Sequence, residues 1–587
     1  MKDFLKTLLA AFVGSIVALF VCGIFLFAMI GSIAALSESN IPIVPSSAIL
    51  KIDLQQPVTE QSIDDPIKLI QSFNLNSSRT IGILPFVQAI NNAATDPAIK
   101  FIYLNPNSMN IGMAQLEEVR NALVKFRLSG KPIIAYANNY SPGSYYLASV
   151  ADKVYMNSQG SAVITGISSG LFFFKDLLDK LGIQVQLIRH GKYKAAGEMF
   201  ISNTISPANK EQNQVLISSI WDSWIEDISK SRNVSTSDIN NAINNLELGT
   251  PQSMINMNLI DGSLTRLELI DKICTLFEVD KEKDLKVISI YNYIKATAKS
   301  NYKIKDKIAV LFADGEIIME GEGIAAKEFV PIISKIKSDS TIKAVVLRVN
   351  SPGGDAQAAE MINNELQALR KNKPLIVSFS NYAASGGYWI SAQSDKIYSD
   401  KSTITGSIGV FSMFFNAGNA LKKHLNVNTV SINSNTHADM FSGVRPLDDS
   451  EQKYMENFVE DIYSQFTNLV ATGRKLDTSY VDTIGQGRVW SGINALDIKL
   501  VDEIGGLQDA IDYCANTLSL NNNYRVVTYP KQKNSVEQLL NMMSDTQDNI
   551  KLLTDPFALI QRSYSSIKDF NGTKNYARLP YIYEMQY

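Results

Sequence analysis

Cysteine is nearly absent from this sequence. Its 587 residues include three cysteines, one of which, Cys22, lies inside an apolar segment. The other two are Cys274 and Cys514. A disulfide framework or a thiolate metal site needs several clustered cysteines, so the sequence excludes both kinds of site. Stability must come from hydrophobic cores, and a chain of this length can form several domains.

Histidine is equally scarce, since only His190, His424 and His437 are present. A Ser-His-Asp catalytic triad would have to use one of them. None has a recognisable triad context in the sequence, although proximity in the folded chain is left open. A nucleophilic serine in this protein would therefore have to find its base among other residue types.

The chain also lacks an excess of basic residues. It has 55 Lys and Arg against 58 Asp and Glu, which gives a net charge of -3 at pH 7. Nucleic-acid-binding domains carry a basic footprint. We therefore expect no nucleic-acid partner.

Charged residues are missing from residues 8–36. A membrane-spanning helix needs about 20 apolar residues, whereas a signal-peptide core has roughly 7–15. Lys2 and Lys6 precede this run and Glu38 is the first charge after it, so the positive-inside rule places the N-terminus in the cytoplasm and the remaining chain on the far side. We predict a cytoplasmic N-terminus and transmembrane anchor over residues 1–36 and a linker over 37–45. A cleaved signal peptide is the alternative, because residues 32–35 offer small side chains.

An internal repeat organises the rest of the chain. Ile-Lys at 99–100 recurs at 342–343, and Asp-Lys-Val-Tyr at 152–155 recurs as Asp-Lys-Ile-Tyr at 395–398, both at an offset of 243 positions. Collinear matches at a constant offset indicate duplication. We predict a first repeat over residues 46–300, a second repeat over 301–525 and an extension over 526–587. The extension has no assigned chemistry, and we expect it to pack on the body or on another subunit.

Short Val- and Ile-rich runs alternate with longer helical patterns in each repeat. In the second repeat the candidate strands are 308–312, 344–349, 375–379 and 396–398, and the candidate helices are 329–337, 356–370 and 458–471. This alternation is typical of βαβ units with mostly parallel strands. The predicted fold class is therefore α/β.

A small-residue turn follows one of these strands, at residues 381–388 with the sequence Asn-Tyr-Ala-Ala-Ser-Gly-Gly-Tyr. It places Ser385 before Gly386 and Gly387, and a helix is expected to begin near Trp389. A serine on a tight strand-to-helix turn presents its hydroxyl to a substrate, and the amide that follows can face a developing oxyanion. The alternative is a glycine-rich turn with a capping serine.

A second glycine-rich segment, Asn-Ser-Pro-Gly-Gly at 350–354, follows another predicted strand. Its glycines permit backbone conformations closed to other residues, and the amides at the start of the next helix can bind an anion. An ordinary strand-to-helix turn explains the segment equally well. It is not a phosphate-binding loop, because no Gly-Lys-Ser/Thr follows.

The two repeats differ at these positions. The counterpart of 351–354 is Ser-Met-Asn-Ile at 108–111, and the counterpart of 385–387 is Pro-Gly-Ser at 142–144. Residues needed only for a turn would tend to be kept in both copies. Their presence in the second repeat alone indicates chemistry there.

A nucleophilic serine needs a base, and a lysine can serve if burial lowers its pKa. The segment 190–198 offers Lys192 and Lys194 among small residues, whereas the corresponding stretch near His437 has no lysine. The first repeat would then supply a base to the serine of the second. Sequence physics alone does not choose between Lys192 and Lys194, and a solvated surface lysine is the usual alternative.

Together, these motifs resemble the signal peptide peptidase A family, also called protease IV, in its long, duplicated, membrane-anchored form. The resemblance extends from the anchor to about residue 525. It rests on four motifs: Asn-Ser-Pro-Gly-Gly at 350–354, Ala-Ser-Gly-Gly-Tyr-Trp at 384–389, Ile-Thr-Gly-Ser-Ile-Gly at 404–409 and Tyr-Lys at 193–194. The family generally has proline where this chain has Met199, a departure that lies outside the catalytic motifs.

The resemblance implies two tandem ClpP/crotonase-like βαβ-spiral domains and a serine endopeptidase with a Ser/Lys dyad. By position, Ser385 is the nucleophile, Lys194 is the general base and Ser407 orients the lysine amine. The amides that form the oxyanion hole are those of Gly353, Gly354 and Gly386. No metal and no cofactor is implied.

The family resemblance also implies substrates, assembly and location. The substrates are cleaved signal peptides and other membrane-associated peptides, the assembly is a homo-oligomer such as a tetramer, and the location is the bacterial inner membrane with the catalytic part on the periplasmic side. Two alternatives are a crotonase-type acyl-thioester enzyme and a non-catalytic membrane scaffold.

Overall fold

The computed structural model describes residues 41–62, 80–298, 302–521, 523–531, 576–579 and 585–586, together with scattered positions between 4 and 24. Most of the predicted anchor at 1–36 lies outside these residues, as does most of the extension at 526–587. Within the described part of the chain, no helix has both the length and the apolar character to cross a membrane.

Ten strands and ten α-helices are described in the first repeat. The strands are β1 Ala48–Asp53, β2 Val58–Thr59, β3 Ile81–Gly82, β4 Ile99–Asn105, β5 Ile133–Ala137, β6 Lys153–Met156, β7 Ser168–Ser169, β8 Gln184–Arg189, β9 Gly262–Ser263 and β10 Val287–Ser289. The helices are α1 Ile83–Thr95, α2 Met113–Arg127, α3 Pro142–Ala148, α4 Lys175–Leu181, α5 Glu198–Ile201, α6 Pro207–Arg232, α7 Thr236–Asn244, α8 Pro251–Asn256, α9 Arg266–Phe277 and α10 Ile290–Thr297.

The second repeat and the extension continue in the same manner. The strands are β11 Lys307–Asp314, β12 Ile317–Ile318, β13 Ile324–Ala325, β14 Ile342–Ser351, β15 Gly353–Asp355, β16 Leu375–Ala384, β17 Lys396–Ser399, β18 Ile404–Gly406, β19 Phe411–Asn416, β20 Val489–Ser491, β21 Glu503–Ile504, β22 Arg525–Tyr529, β23 Tyr576–Arg578 and β24 Met585–Gln586. The helices are α11 Ala326–Ser338, α12 Ala356–Arg370, α13 Gly386–Trp389, α14 Gly418–Leu425, α15 Asp449–Arg474, α16 Thr478–Ile484, α17 Gly492–Asp497 and α18 Leu507–Thr517.

The duplication is visible in the element positions. Strands β4 and β14 begin at Ile99 and Ile342, and helices α2 and α12 begin at Met113 and Ala356, so each pair is 243 positions apart. The predicted strands and helices of the second repeat all exist, and most extend beyond their predicted ends. These matches support a repeated α/β unit, while the exact domain limits stay a prediction.

Each repeat contains a mostly parallel sheet. The first has the order β10-β1-β4-β5-β6-β9, and the second has β20-β18-β16-β14-β11-β22 with β17 and β21 attached beside β16. Strands β11, β14 and β16 are buried on both faces and read as near-continuous Val, Ile and Leu runs, as parallel strands do. Thus the serine turn follows the end of a central strand.

A third sheet connects the two repeats. Its order is β13-β12-β15-β23-β19-β8, and β8 of the first repeat pairs antiparallel with β19 of the second. The hydrophobic core of the first repeat also includes Ala384, Ile404 and Val489 from the second. The repeats therefore share a continuous core at their junction, and the chain after β8 lies against the second repeat.

A buried ion cluster also joins the repeats. Arg348 on β14 is fully buried and donates through Nε to Glu60 Oε2 at 2.7 Å and through Nη2 to Glu118. Its Nη1 donates to Ser378 Oγ and to the Phe379 carbonyl, both at 2.8 Å. Burial raises the pKa of Glu118, a tendency that the arginine opposes. All three guanidinium nitrogens thus donate hydrogen bonds, and the acceptors come from both repeats.

We expect Arg348→Met to destabilise the protein by about 3–5 kcal/mol, because it leaves the buried Glu60 and Glu118 carboxylates without their cation. The measurement is the free energy of unfolding in urea. Arg370→Met is the matched control, since the Arg370–Asp395 pair is 2.8 Å long but partly exposed and should contribute less than about 1 kcal/mol. Equal losses in the two variants would contradict this account.

Candidate active site

Ser385 lies on a strained turn between β16 and α13. Its φ and ψ are 54° and -115°, an unusual conformation for a residue with a side chain. Its N–H donates to the Gly406 carbonyl at 2.8 Å, and its own carbonyl accepts from the Trp389 N–H at 2.8 Å. The helix begins at Gly386, three positions before the predicted Trp389. The serine is therefore held at the sharp bend that a nucleophile requires.

Lys194 reaches this turn because the chain crosses between the repeats. Strand β8 ends at Arg189, which pairs with Phe411 at the start of β19. The next residues lie on the second repeat, where the Tyr193 N–H donates to the Gln486 carbonyl at 3.0 Å. A Cβ on Gly487 would lie 2.5 Å from the Lys194 Cα, so this close approach requires glycine. The lysine backbone is thereby fixed.

The lysine amine meets two serines. Lys194 Nζ lies 2.9 Å from Ser385 Oγ, 3.1 Å from Ser407 Oγ and 3.3 Å from the Ser407 carbonyl oxygen. All three residues are fully buried. A neutral amine has two N–H donors and one lone pair, which matches two acceptors on Ser407 and one hydroxyl donor on Ser385. This arrangement can transfer the Ser385 proton to the amine.

Burial lowers the pKa of Lys194 well below its ordinary value. No carboxylate forms an ion pair with this amine among the residues that the structure describes, so desolvation decides the direction of the shift. The centroid of the Phe411 ring lies 6.0 Å from Nζ. Burial thus favours the uncharged form of the amine, the form that can act as a base.

The structure distinguishes the two candidate lysines. Lys192 is exposed, and its Nζ lies 4.7 Å from the centroid of the Tyr193 ring, whereas Lys194 contacts Ser385. The two lysines are only two positions apart, yet the side chain of Lys192 is exposed and that of Lys194 is buried. Of the two lysines that sequence physics left open, only Lys194 is in hydrogen-bond contact with Ser385.

The three predicted oxyanion glycines lie together but are not equivalent. The Gly353 N–H donates to Ser351 Oγ at 3.2 Å. A Cβ placed on Gly386 would lie 3.2 Å from the Gly354 nitrogen. The amides of Gly354 and Gly386 are therefore close neighbours beside Ser385, and they can polarise a single carbonyl oxygen.

The predicted loop at 350–354 contains a strand. Gly353–Asp355 forms β15, with Gly354 opposite Ile317 of β12 and opposite Ala577 of β23. Gly354 has φ 158°, and a Cβ there would overlap the Ile317 backbone. A side chain at this position would separate the strands, which explains the glycine.

None of the three histidines is the partner of Ser385. His190 Nδ1 lies 2.5 Å from Glu460 Oε2 and its ring stacks on Tyr463, with centroids 3.7 Å apart. His437 Nδ1 lies 3.0 Å from Glu451 Oε1, and His424 is exposed. The proximity that the sequence left open for a histidine base is therefore absent among the described residues.

One group of possible metal ligands occurs among the described residues, away from the dyad. His437, Asp448 and Glu451 place their donor atoms within 4.8 Å of one another. Arg445, however, donates to both oxygens of Glu451 at 2.7 Å, and it lowers the pKa of that carboxyl to about 2. The arginine already supplies the positive charge that a metal would bring.

Sequence reasoning missed a strand beside the dyad. Strand β23 from the extension lies between β15 and β19 and pairs antiparallel with both. Its sequence, Tyr-Ala-Arg, is too short and too ordinary to be recognised as a partner of the site. The strand is recognised only in the folded structure, where the edges of β15 and β19 lie on either side of it.

Comparisons with known proteins also indicate a serine peptidase. The model of Peptidase family S49 matches residues 125–280 and 367–521, stretches that contain Lys194 and Ser385. "Protease 4" of Haemophilus influenzae is 34% identical over 520 residues, which cover 84% of each chain. "Serine protease SPPA, chloroplastic" of Arabidopsis thaliana is 28% identical over 76% of this chain and 68% of its own. "Putative signal peptide peptidase SppA" of Enterococcus faecium is 38% identical over 35% of this chain and 62% of its own.

Among solved structures, "ClpP1 from Listeria monocytogenes" aligns over 34% of this chain and 92% of its own, with 16% identity and a TM-score of 0.23. A score of this size carries no argument about the fold, which rests on the strand order given above. The family match covers more than half of the sequence, and the Haemophilus influenzae relative matches most of both chains. The chain therefore belongs to peptidase family S49 and is a serine peptidase.

Proposed function

We propose that this peptidase hydrolyses peptide bonds by acyl transfer to Ser385, with Lys194 as its general base. The observation that carries the proposal is the 2.9 Å contact between Lys194 Nζ and Ser385 Oγ in a fully buried setting. Burial lowers the pKa of Lys194 and so favours the neutral amine, whose lone pair can accept the serine proton.

In the first step, Ser385 Oγ attacks the substrate carbonyl carbon while its proton passes to Lys194 Nζ. The negative charge that develops on the carbonyl oxygen is stabilised by the amides of Gly354 and Gly386. Each such donor lowers the barrier by about 3 kcal/mol. The C–N bond then breaks, and the ammonium of Lys194 returns the proton to the leaving amine.

In the second step, water hydrolyses the acyl-enzyme with Lys194 again accepting a proton. Ser407 holds the amine throughout through its Oγ and its carbonyl. These two acceptors direct the remaining lone pair at Ser385. Ser407 is therefore a positioning residue.

The proposed substrates are cleaved signal peptides and other membrane-associated apolar peptides. The name of the Enterococcus faecium relative supports this class, as does the long family resemblance of the motifs. Strands β15 and β19 pair with the extended strand β23 in this structure, and the same backbone pairing with a peptide would suit substrates of varied sequence.

Two alternatives remain less well supported. A crotonase-type acyl-thioester enzyme would use similar amides for an enolate but needs no base 2.9 Å from a serine. A non-catalytic scaffold has no need of a buried, uncharged lysine. Labelling of Ser385 by a fluorophosphonate, without a preference for acyl-CoA, separates the peptidase from both.

The membrane anchor, the periplasmic location and a homo-oligomer such as a tetramer are also proposals. The uncharged run at 8–36 supports the anchor, and Lys2 and Lys6 before it support the orientation. Sedimentation in detergent measures the assembly, and a monomer there would contradict the oligomer.

We expect Ser385→Ala and Lys194→Met each to reduce kcat/KM for a synthetic signal peptide by at least about 1,000-fold, because either change removes the acyl-transfer step. Ser407→Ala should reduce it by about tenfold, since only the orientation of the amine is lost. Lys192→Met is the matched control and should change it less than about twofold. Loss of activity in Lys192→Met with retention in Lys194→Met would transfer the base role to Lys192.

We expect the activity to fall as the pH falls through the lowered pKa of Lys194, because an ammonium cannot accept the serine proton. The free energy of unfolding should also depend on the ionisation of Lys194. Between that pKa and 10.5 the unfolded chain binds a proton that the folded chain does not, so the unfolding free energy of the wild type rises with pH relative to Lys194→Met. The slope of the difference should approach about 1.4 kcal/mol per pH unit.

The measurement is urea unfolding of both proteins over a series of pH values between about 6 and about 9. Parallel stability curves would mean that Lys194 is charged in the folded protein, and the proposed base would then be wrong.

We expect the full chain to remain in the membrane fraction after alkaline extraction, whereas a chain lacking residues 1–36 should be released, because a helix of about 20 apolar residues is enough to span a bilayer. A protease added outside spheroplasts should reach the catalytic part. Release of the full chain, or protection from that protease, would contradict the anchor or its orientation.

A further inference from the structure

A buried glutamine joins the catalytic segments of the two repeats. Gln212 lies near the start of helix α6 in the first repeat, and its side chain is fully buried. Its Nε2 donates to the Tyr193 carbonyl at 3.0 Å, and its Oε1 accepts from the Val489 N–H at 3.2 Å. One side-chain amide therefore binds both the residue before Lys194 and the first residue of β20 in the second repeat.

The bond to Tyr193 acts on the peptide unit that carries Lys194. The Tyr193 carbonyl and the Lys194 N–H belong to one planar unit, so a hydrogen bond to that carbonyl restrains the plane from which the lysine Cα extends. The same unit also bonds within its own turn, to the Ala195 N–H at 2.8 Å and to the Gly191 carbonyl at 3.3 Å. Those two bonds shape the turn, whereas the bond from Gln212 fixes the turn to helix α6.

The bond to Val489 acts on the peptide unit that holds Ser407. The Arg488 carbonyl accepts from the Ser407 N–H at 2.7 Å. That carbonyl and the Val489 N–H belong to one planar unit, so Gln212 and Ser407 bind opposite edges of it. The glutamine thus restrains the base and the serine that orients the base at the same time.

The glutamine is itself held in one orientation. Its Nε2 also donates to Asn209 Oδ1 at 3.0 Å, one turn earlier in α6, so both N–H groups and the oxygen have partners. If the amide were rotated by half a turn, its oxygen would face the Tyr193 carbonyl and its nitrogen would face the Val489 N–H. Both contacts would then be repulsive, so the partners select the orientation described.

The charged groups packed around these segments keep their own partners. Arg488 Nη1 lies 3.1 Å from Glu211 Oε1, and Arg189 Nη1 donates to the Lys194 carbonyl at 2.7 Å. Gln212 is uncharged and takes no part in either pair. Replacing it with another uncharged side chain therefore leaves these charges in place, and a change in the pH dependence of activity would report the surroundings of Lys194.

We propose that Gln212 is a positioning residue, which fixes the amine of Lys194 relative to Ser407 and Ser385 by binding the backbone on both sides of the site. The proposal rests on the Ser/Lys mechanism proposed above and adds a residue that lies outside the motifs of the family resemblance. The amide of Gln212 touches none of the reacting atoms. It acts through the peptide units of residues 193–194 and 488–489.

We expect Gln212→Met, which keeps the volume but removes the amide, to lower kcat for a synthetic signal peptide by about 10- to 100-fold, because a misplacement of about 1 Å is enough for such a loss. KM should change by less than about twofold, since the substrate keeps its contacts. The pH at which kcat/KM is half-maximal should rise, because a looser amine meets more water, which stabilises its charged form.

Ser219→Ala is the matched control for these measurements. Ser219 Oγ donates to Ser491 Oγ at 2.8 Å, so this variant also removes a hydrogen bond between α6 and β20 but leaves the bonds of Tyr193 and Val489 intact. It should leave kcat, KM and the pH profile unchanged. Equal losses in Ser219→Ala and Gln212→Met would mean that the helix contact as a whole, and not the amide of Gln212, supports the site.

The test of the mechanism is a double-mutant cycle, with the rate constant for labelling of Ser385 by a fluorophosphonate as the readout. Gln212→Met should slow labelling of the otherwise unchanged chain and have no further effect in Lys194→Met, because no amine is left to position. A further loss in Lys194→Met would show a general disturbance of the serine and would overturn the proposal. Urea unfolding of each variant shows that it is folded.

Gln212→Glu gives a second test and replaces Gln212→Met in the cycle if that variant does not fold. It keeps the volume and the acceptor for Val489, but an ionised carboxylate cannot donate to the Tyr193 carbonyl, so it should also slow labelling. Wild-type labelling in a folded Gln212 variant would overturn the role of this residue and leave the base assignment intact. Wild-type labelling in Lys194→Met would instead overturn the proposed base, and the positioning role with it.

Discussion

The amine of Lys194 is buried without a carboxylate partner in the described structure, between Ser385 and Ser407, and the rest of the site depends on this contact. Water would stabilise the charged form of the amine, so its removal by burial favours the neutral form. The packing of the two repeats around the amine offsets the free-energy cost of burying it. The close contact with Gly487 fixes the backbone of Lys194, and two acceptors on Ser407 take the N–H groups of its amine. The lone pair of the neutral amine is then directed toward the Ser385 hydroxyl. The proposed activation of Ser385 thus depends on solvent exclusion combined with rigid placement.

Solvent exclusion requires both repeats, because the lysine belongs to one and the serine to the other. The antiparallel pairing of β8 with β19 brings the first repeat across the second, and the shared core then closes over the amine. The fully buried Arg348 and its two glutamates make this junction specific, since a small displacement would leave charges unpaired.

The proposed mode of substrate recognition rests on the third sheet. Strands β15 and β19 pair with β23 from either side, and Gly354 belongs both to the β15 edge and to the candidate oxyanion hole. In the proposed mechanism, pairing with this edge sets the register of a peptide and the position of its carbonyl at once. Because the pairing uses the backbone, it tolerates many side-chain sequences. The extension uses the same edge, which gives a physical role to a segment for which the sequence suggests none.

The sequence by itself determined the α/β class, the repeat at an offset of 243, the strands that lead to both glycine motifs, and a serine with two candidate lysines. These features are local or periodic, so they can be read from neighbours along the chain. The contact of Lys194 rather than Lys192 with Ser385, the different hydrogen bonding of Gly353 and Gly354, the buried pairing of Arg348 and the place of β23 were decided only by the tertiary structure. Each depends on groups far apart in sequence that meet in space, and on the removal of water when they meet. No local pattern records which distant group will be there or how completely the solvent will be excluded.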